Sequence, residues 1–199
     1  MDLFLIFVSS ALINNYVLTR FLGLCPFFGV SKRTEAAVGM GLAVTFVLAL
    51  ASAITWVFQL LLVELKLEFL QTMVFILVIA SLVQFIEIVL KKAIPVIHSM
   101  LGIYLPMITT NCIILGAALL NIRENLGFLQ SVVNGTGAGA GFLIAISMMS
   151  VVRERYENNP EVPRIFRGYP LALFSAGLMS IAFLGFQNLA TGLEALIGR

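Results

Sequence analysis

The sequence predicts an all-α integral membrane protein of six transmembrane helices, arranged as two inverted three-helix repeats with the first and fourth helices broken. Three observations predict it. Hydrophobic residues make up 60% of the 199 residues and charged residues only 11%, with a mean hydropathy of +1.05. A soluble domain runs at roughly 45–50% apolar and about 25% charged. Six apolar stretches are long enough to span a bilayer, which takes roughly 17–25 residues. A shift of 96 residues also lays the second half of the chain over the first.

The expected spans are about 3–28, 36–63, 69–90, 99–120, 127–152 and 169–192. The first begins at Leu3 after Asp2, without a basic leader region, and reads as a span rather than a removable signal. From Leu3 to Val30 it runs 28 residues, about 42 Å if helical, against a hydrocarbon core of about 30 Å. Asn14-Asn15, Thr19-Arg20, Gly23, Pro26 and Gly29 interrupt it. Irregular backbone at membrane depth is tolerated only where protein buries it or a cavity accepts it. The second span carries Gly39-Met40-Gly41 and the third is a plain apolar run. The fourth carries the same disturbance as the first, at Pro106, Thr109-Thr110 and Asn111. In the fifth, Gly135, Gly137, Gly139 and Gly141 give overlapping Gly-x-x-x-Gly spacings, the pattern of close helix packing. The sixth is plain.

Arg20, Lys32, Arg33, Lys91, Lys92, Arg153, Arg155, Arg164 and Arg167 fall at connections 1–2, 3–4 and 5–6, while Lys66, Arg123 and Arg199 fall on the other side. The positive-inside rule then directs both termini to the outer face. Under the 96-residue shift Asn15 meets Asn111, and Gly39-Met40-Gly41 meets Gly135-Thr136-Gly137. The whole chain reads as one membrane domain, with repeat 1 at about 1–95 and repeat 2 at about 96–199. An odd number of spans per repeat forces the second copy to enter from the opposite side, as in many transporters whose site lies at broken helices.

Cys25 and Cys112 are the only cysteines, and each lies in or beside a disturbed span. They read either as small buried hydrophobes or as soft metal ligands. Iron–sulfur clusters take four such ligands, so two thiols are half a site and a second polypeptide must supply the rest. Under the shift Cys112 meets Tyr16 rather than Cys25, so the repeat does not make the cysteines equivalent. Asn14, Asn15, Thr110 and Asn111, with Thr109, either bond between helices or satisfy broken backbone and a cluster's surroundings. Glu87, the one carboxylate inside a span, is a candidate for an ion pathway or a pair for Lys91 four residues on, with Gln84 one turn earlier. His98 and the segment Arg153 to Arg167 sit at the membrane surface and suit structural, partner or lipid-headgroup contacts. No Walker loop, dinucleotide fingerprint or nucleophile–base set is present, so NAD chemistry belongs elsewhere and no nucleic-acid partner is expected.

At these same residues the chain resembles the A-type subunits of Rnf complexes. The resemblance rests on Asn14-Asn15-Tyr16-Val17-Leu18, Phe21-Leu22-Gly23-Leu24-Cys25-Pro26-Phe27 and Gly29-Val30-Ser31-Lys32. It continues through Leu101-Gly102-Ile103-Tyr104-Leu105-Pro106, Ile108-Thr109-Thr110-Asn111-Cys112, Val151 to Glu154, Val162-Pro163, Phe166-Arg167-Gly168 and Ala176-Gly177-Leu178-Met179. The E-type component of the sodium-translocating NADH:quinone reductase is a close relative, from which Pro26 and Thr110 set this chain apart. The resemblance implies a multi-pass component of the bacterial cytoplasmic (inner) membrane, in a complex that couples electron transfer between ferredoxin and NAD to Na+ or H+ movement. It implies that Cys25 and Cys112 hold half of an intramembrane [2Fe–2S] cluster, that a homologous E-type subunit of opposite topology holds the other half, and that flavins reside only on other subunits. The B, C, D and G components of the complex and membrane lipid are the further partners implied. A small secondary transporter with inverted repeats and no redox role is the competing expectation, and an assembly factor whose cysteines only pack is a third.

Overall fold

A computed structural model describes residues 3–93, 105–157, 163 and 168–186. Among them there are helices and connections but no strand. Helix α1 (Leu3–Val8) runs directly into a π-helical segment, Ser9–Ile13, closed by Asn14 N–H donating to Ser9 O at 2.7 Å. An irregular stretch then leads to α2 (Leu24–Val30). The long α3 (Thr34–Glu64) and α4 (Gln71–Ala93) follow, then α5 (Leu105–Thr109), α6 (Cys112–Arg123), the long α7 (Phe128–Glu157) and α8 (Tyr169–Leu184).

Four segments are long and apolar enough to cross a membrane: Thr34–Glu64, Gln71–Val89, Pro106–Arg123 and Phe128–Glu157; Leu3–Ile13 and Tyr169–Leu184 are shorter apolar helices. Both interruptions expected from sequence are present, between Ile13 and Leu24 and at Thr110-Asn111. Asparagine makes the first break, because its side chain offers the backbone an alternative to helical bonding. Asn15 Oδ1 accepts from Val17 N–H at 3.0 Å, and Asn15 Nδ2 donates to Gly141 O on α7 at 2.9 Å. Ser180 Oγ on α8 donates to Leu18 O at 2.6 Å. The freed backbone groups are thus met inside the protein, as a low-dielectric surround requires. Asn111 repeats the local bond, its Oδ1 accepting from Ile113 N–H at 3.4 Å. The pairs Asn15/Val17 and Asn111/Ile113 are related by the same 96-residue shift seen in sequence.

The core forms where α7 lies against α3 on one side and α1 on the other. A methyl group on Gly139 would stand 2.6 Å from Thr45 Cα, and one on Gly135 would meet Ser52 Oγ and Leu48 O. Gly141 faces Ala11 O, and Gly137 faces Ser10 of the π-helical segment and Phe7 O of α1. The glycine series is a two-sided contact strip that lets three helices approach closely. Met40, Val44, Leu48, Phe142, Ile146 and Met149 fill the interior around it. Outward-facing surfaces are apolar, as at Met73, Leu77 and Phe85 on α4 and Leu173, Phe174 and Ile181 on α8, the reverse of a soluble surface.

Two charge placements differ from the sequence reading. Arg153, expected in connection 5–6, lies within α7 and is 1% exposed. The fifth helix runs on to Glu157, which Arg153 Nε reaches at 2.9 Å one turn later. Helical bonding extends past the apolar stretch, so a charge at its end is still a helix residue. Arg20 is exposed and stands over the Tyr16 ring at 5.5 Å, lining a cavity of about 80 Å³ with Ser9, Asn14, Glu124 and Asn134. That places Arg20 beside Glu124 at the end of α6, rather than at a connection of its own. His98 and most of Arg153 to Arg167 beyond Glu157 lie outside the described residues, as do 99–104 of the fourth expected span and 187–192 of the sixth.

Candidate metal centre at two helix breaks

Both cysteines sit where a helix restarts. Gly23 precedes α2 with φ +79°, a left-handed conformation that glycine adopts without steric penalty, and Cys25 is the second residue of that helix. Cys112 is the first residue of α6, whose cap Asn111 satisfies Ile113 N–H. The two breaks meet. Gly23 N–H donates to Cys112 Sγ at 2.9 Å, and Cys25 Cα lies at most about 7.6 Å from Gly23 Cα, two peptide links away. A side chain at Gly23 would crowd this junction, its Cβ standing 3.2 Å from Asn111 Oδ1 and 3.3 Å from both Ile113 Cβ and Phe142 Cε2.

Both thiols are free and exposed, so the reading of them as small buried hydrophobes does not hold for this chain by itself. Among the described residues no group of three or more His, Cys, Asp or Glu side chains could hold a metal ion. The chain therefore offers two sulfur donors facing outward, one of them already accepting a backbone N–H. A thiolate gains from such a donor, and hydrogen bonds to sulfur are one of the means by which a protein tunes an iron–sulfur centre. Two exposed thiols at one junction fit half of a four-thiolate cluster.

The profile of the Rnf–Nqr subunits, described as membrane proteins, matches residues 3–190. The chain belongs to the Rnf–Nqr family. It is 53% identical over 193 residues to a protein of Acetobacterium woodii named as the A component of a Na(+)-translocating ferredoxin:NAD(+) oxidoreductase complex, covering 96% of this chain and 100% of that one. Proteins named as the A component of an ion-translocating oxidoreductase complex are similarly close. That of Syntrophotalea carbinolica is 51% identical over 96% of this chain and 99% of its own length. That of Cereibacter sphaeroides (strain ATCC 17029 / ATH 2.4.9) is 53% identical over 95% and 98%.

Within this Rnf–Nqr chain the other sequence-derived candidates divide. Asn111 is at the junction: it is buried, its Oδ1 faces Gly23, and its Nδ2 has no hydrogen-bond partner among the described residues. Thr110 is exposed and donates to Pro106 O at 3.3 Å, closing the last turn of α5. Asn15 is fully buried and committed to backbone groups of the break and of α7. Asn14 is half-buried, donates to Ser9 Oγ at 3.3 Å and faces the polar cavity. Glu87 is half-buried on α4, and the Lys91 side chain, its expected pair, lies outside the described residues.

Sequence reasoning passed over a buried polar network. Asn134 Nδ2 donates to Tyr16 Oη at 3.0 Å and to Asn121 Oδ1 at 2.7 Å, and Asn121 Nδ2 donates to Ser131 O at 3.3 Å. The signal for it was asparagine inside apolar stretches away from any helix break. Such residues need internal partners at membrane depth.

Proposed function

We propose that this chain is the A-type membrane component of an Rnf-like ion-translocating oxidoreductase, and that Cys25 and Cys112 supply two of the four thiolates of a [2Fe–2S] cluster. A homologous E-type subunit of opposite topology would supply the other two. The observation that carries this reading is the Gly23 N–H to Cys112 Sγ bond of 2.9 Å, which joins the two cysteine-bearing breaks. Both sulfurs face outward, where a partner protein can complete the site. When bound, the cluster supplies a one-electron carrier at membrane depth.

The chain's own groups prepare that position. Gly23 and Asn111 bring backbone close to Cys112, and Asn111 Nδ2 is a buried donor available to a cluster sulfur. Ile113 and Phe142, buried behind the junction, keep water from its inner side. The chain would make six crossings in two inverted three-helix repeats of a single membrane domain; four long apolar helices and two shorter ones support that reading. Leu3–Ile13 with Leu24–Val30 would make one crossing and the helix starting at Tyr169 another. The excess of basic residues at connections 1–2, 3–4 and 5–6 would then place both termini outside the bacterial inner membrane. The coupled ion would be Na+ or H+, and flavins and ferredoxin/NAD chemistry would belong to the B, C, D and G components.

Iron and labile sulfide in the purified assembly test the reading. Cys25→Ser and Cys112→Ser should each remove the cluster while leaving the flavin of the other components unchanged. Equal iron and sulfide in wild type and both variants would overturn it. That result would favour a secondary transporter or an assembly factor whose cysteines only pack.

A further inference from the structure

Arg153 is the most buried charge in the described structure, 1% exposed on α7. Its Nη1 donates to Phe28 O at 2.7 Å and to Ser31 Oγ at 3.1 Å, while Nε donates to Glu157 Oε1 at 2.9 Å. Phe28 O is one of the last carbonyls of α2, which have no partner within the helix. At seven residues α2 is far too short to hold its shape alone. Phe28 stands three residues after Cys25, one turn along the same face. Whatever holds Phe28 therefore holds Cys25.

Packing alone leaves α2 less well defined than this. Phe27 and Val30 are buried, but apolar contacts fix position less sharply than a directional bond. Among the described residues, one hydrogen bond reaches α2's backbone from another helix, that of Arg153 Nη1 to Phe28 O, and the bond to Ser31 Oγ holds the residue that caps α2. A buried guanidinium is costly to desolvate unless it is paired and fully bonded, and here it is paired with Glu157 and fastened to the end of α2. We propose that Arg153 is a positioning residue for the metal centre, fixing Cys25 relative to Cys112 by tying the C-terminal end of α2 to α7. Its importance to a cluster rests on the function proposed above; the tie itself does not.

The two native cysteines are the only ones in the chain, so spin labels on the full-length protein in detergent report their separation directly. Continuous-wave EPR of the doubly labelled wild type should show dipolar broadening. Arg153→Met should lose much of that broadening with helical content unchanged, and Arg153→Lys, which keeps the charge and one donor, should restore part of it. Broadening in Arg153→Met equal to wild type would overturn the proposal. So would equal loss in the lysine and methionine variants, because a merely space-filling side chain would give that pattern. If Arg153→Met does not fold, Ser31→Ala removes one bond of the set and should weaken the broadening by a smaller amount; no change there would overturn the tie.

In the assembled complex, Arg153→Met should move the cluster's EPR line shape without removing iron. A wild-type complex with no iron would end the cluster reading while leaving the label result standing.

Discussion

Replacing Gly23 by alanine tests the junction most directly. Two costs add. The backbone there has φ +79°, and a left-handed conformation costs a residue with a Cβ about 1–2 kcal/mol. The new methyl would also stand 3.2–3.3 Å from Asn111 Oδ1, Ile113 Cβ and Phe142 Cε2, and overpacking of this kind costs about 1–3 kcal/mol. Asn111 and Ile113 are pinned to each other by the cap bond, so neither yields easily. The expected destabilisation is about 2 kcal/mol or more, from the sum of these effects. Reversible unfolding of the full chain in mixed detergent micelles, titrated with SDS, would measure it.

Gly29→Ala is the internal control on the same short helix. Its Cβ would meet only Met107, the terminal Cε at 2.9 Å and Sδ at 3.8 Å, a flexible tip that can swing aside. Alanine is the better helix former by up to about 1 kcal/mol. It should be neutral or stabilising. A loss below about 0.5 kcal/mol for Gly23→Ala, or equal losses for both variants, would refute the account of a crowded left-handed cap.

Gly139→Ala should separate α3 from α7, since its methyl would stand 2.6 Å from Thr45 Cα, a backbone position that cannot rotate away. A loss of about 1–3 kcal/mol in the same titration is expected, and Gly177→Ala, with nothing within 4 Å, should show none. Asn15→Leu strands Val17 N–H and removes the tie to Gly141 O, which keeps its own helical partner in α7; at about 1–3 kcal/mol for an orphaned buried group, it should be among the more damaging single changes, read as loss of folded protein from membranes. Ser180→Ala removes the 2.6 Å bond to Leu18 O and should cost about 1 kcal/mol, with faster hydrogen exchange confined to the first break.

Composition made the membrane setting legible, because 22 charged side chains, 12 basic and 10 acidic, cannot clothe this chain in water. The breaks were legible because Asn14-Asn15 and Thr109-Thr110-Asn111 are types that bond backbone in preference to continuing a helix. That two thiols make half a site followed from counting alone. Their meeting did not. Gly23 N–H and Cys112 Sγ are 89 residues apart, and no periodic pattern links a left-handed glycine to a distant sulfur. Arg153 was misplaced because sequence reads a charge after an apolar run as loop, whereas helical bonding continues until Glu157. The π-helical turn at Ser9–Ile13 was equally hidden, since Ser-Ser-Ala-Leu-Ile has no distinguishing pattern.

The route of α7 past the first break bears on how such a protein could move. Gly141 O holds Asn15, Phe142 backs Gly23, and Arg153 grips Phe28 O. These contacts follow one helix over more than three turns, and each joins the second half of the chain to the first. The halves are therefore interlocked like clasped fingers rather than set side by side. Rocking residues 1–95 against 96–199 as rigid blocks would shear all three contacts at once. Any gating in this chain must instead leave α7 and the first break moving together, with the give falling to elements outside that clasp.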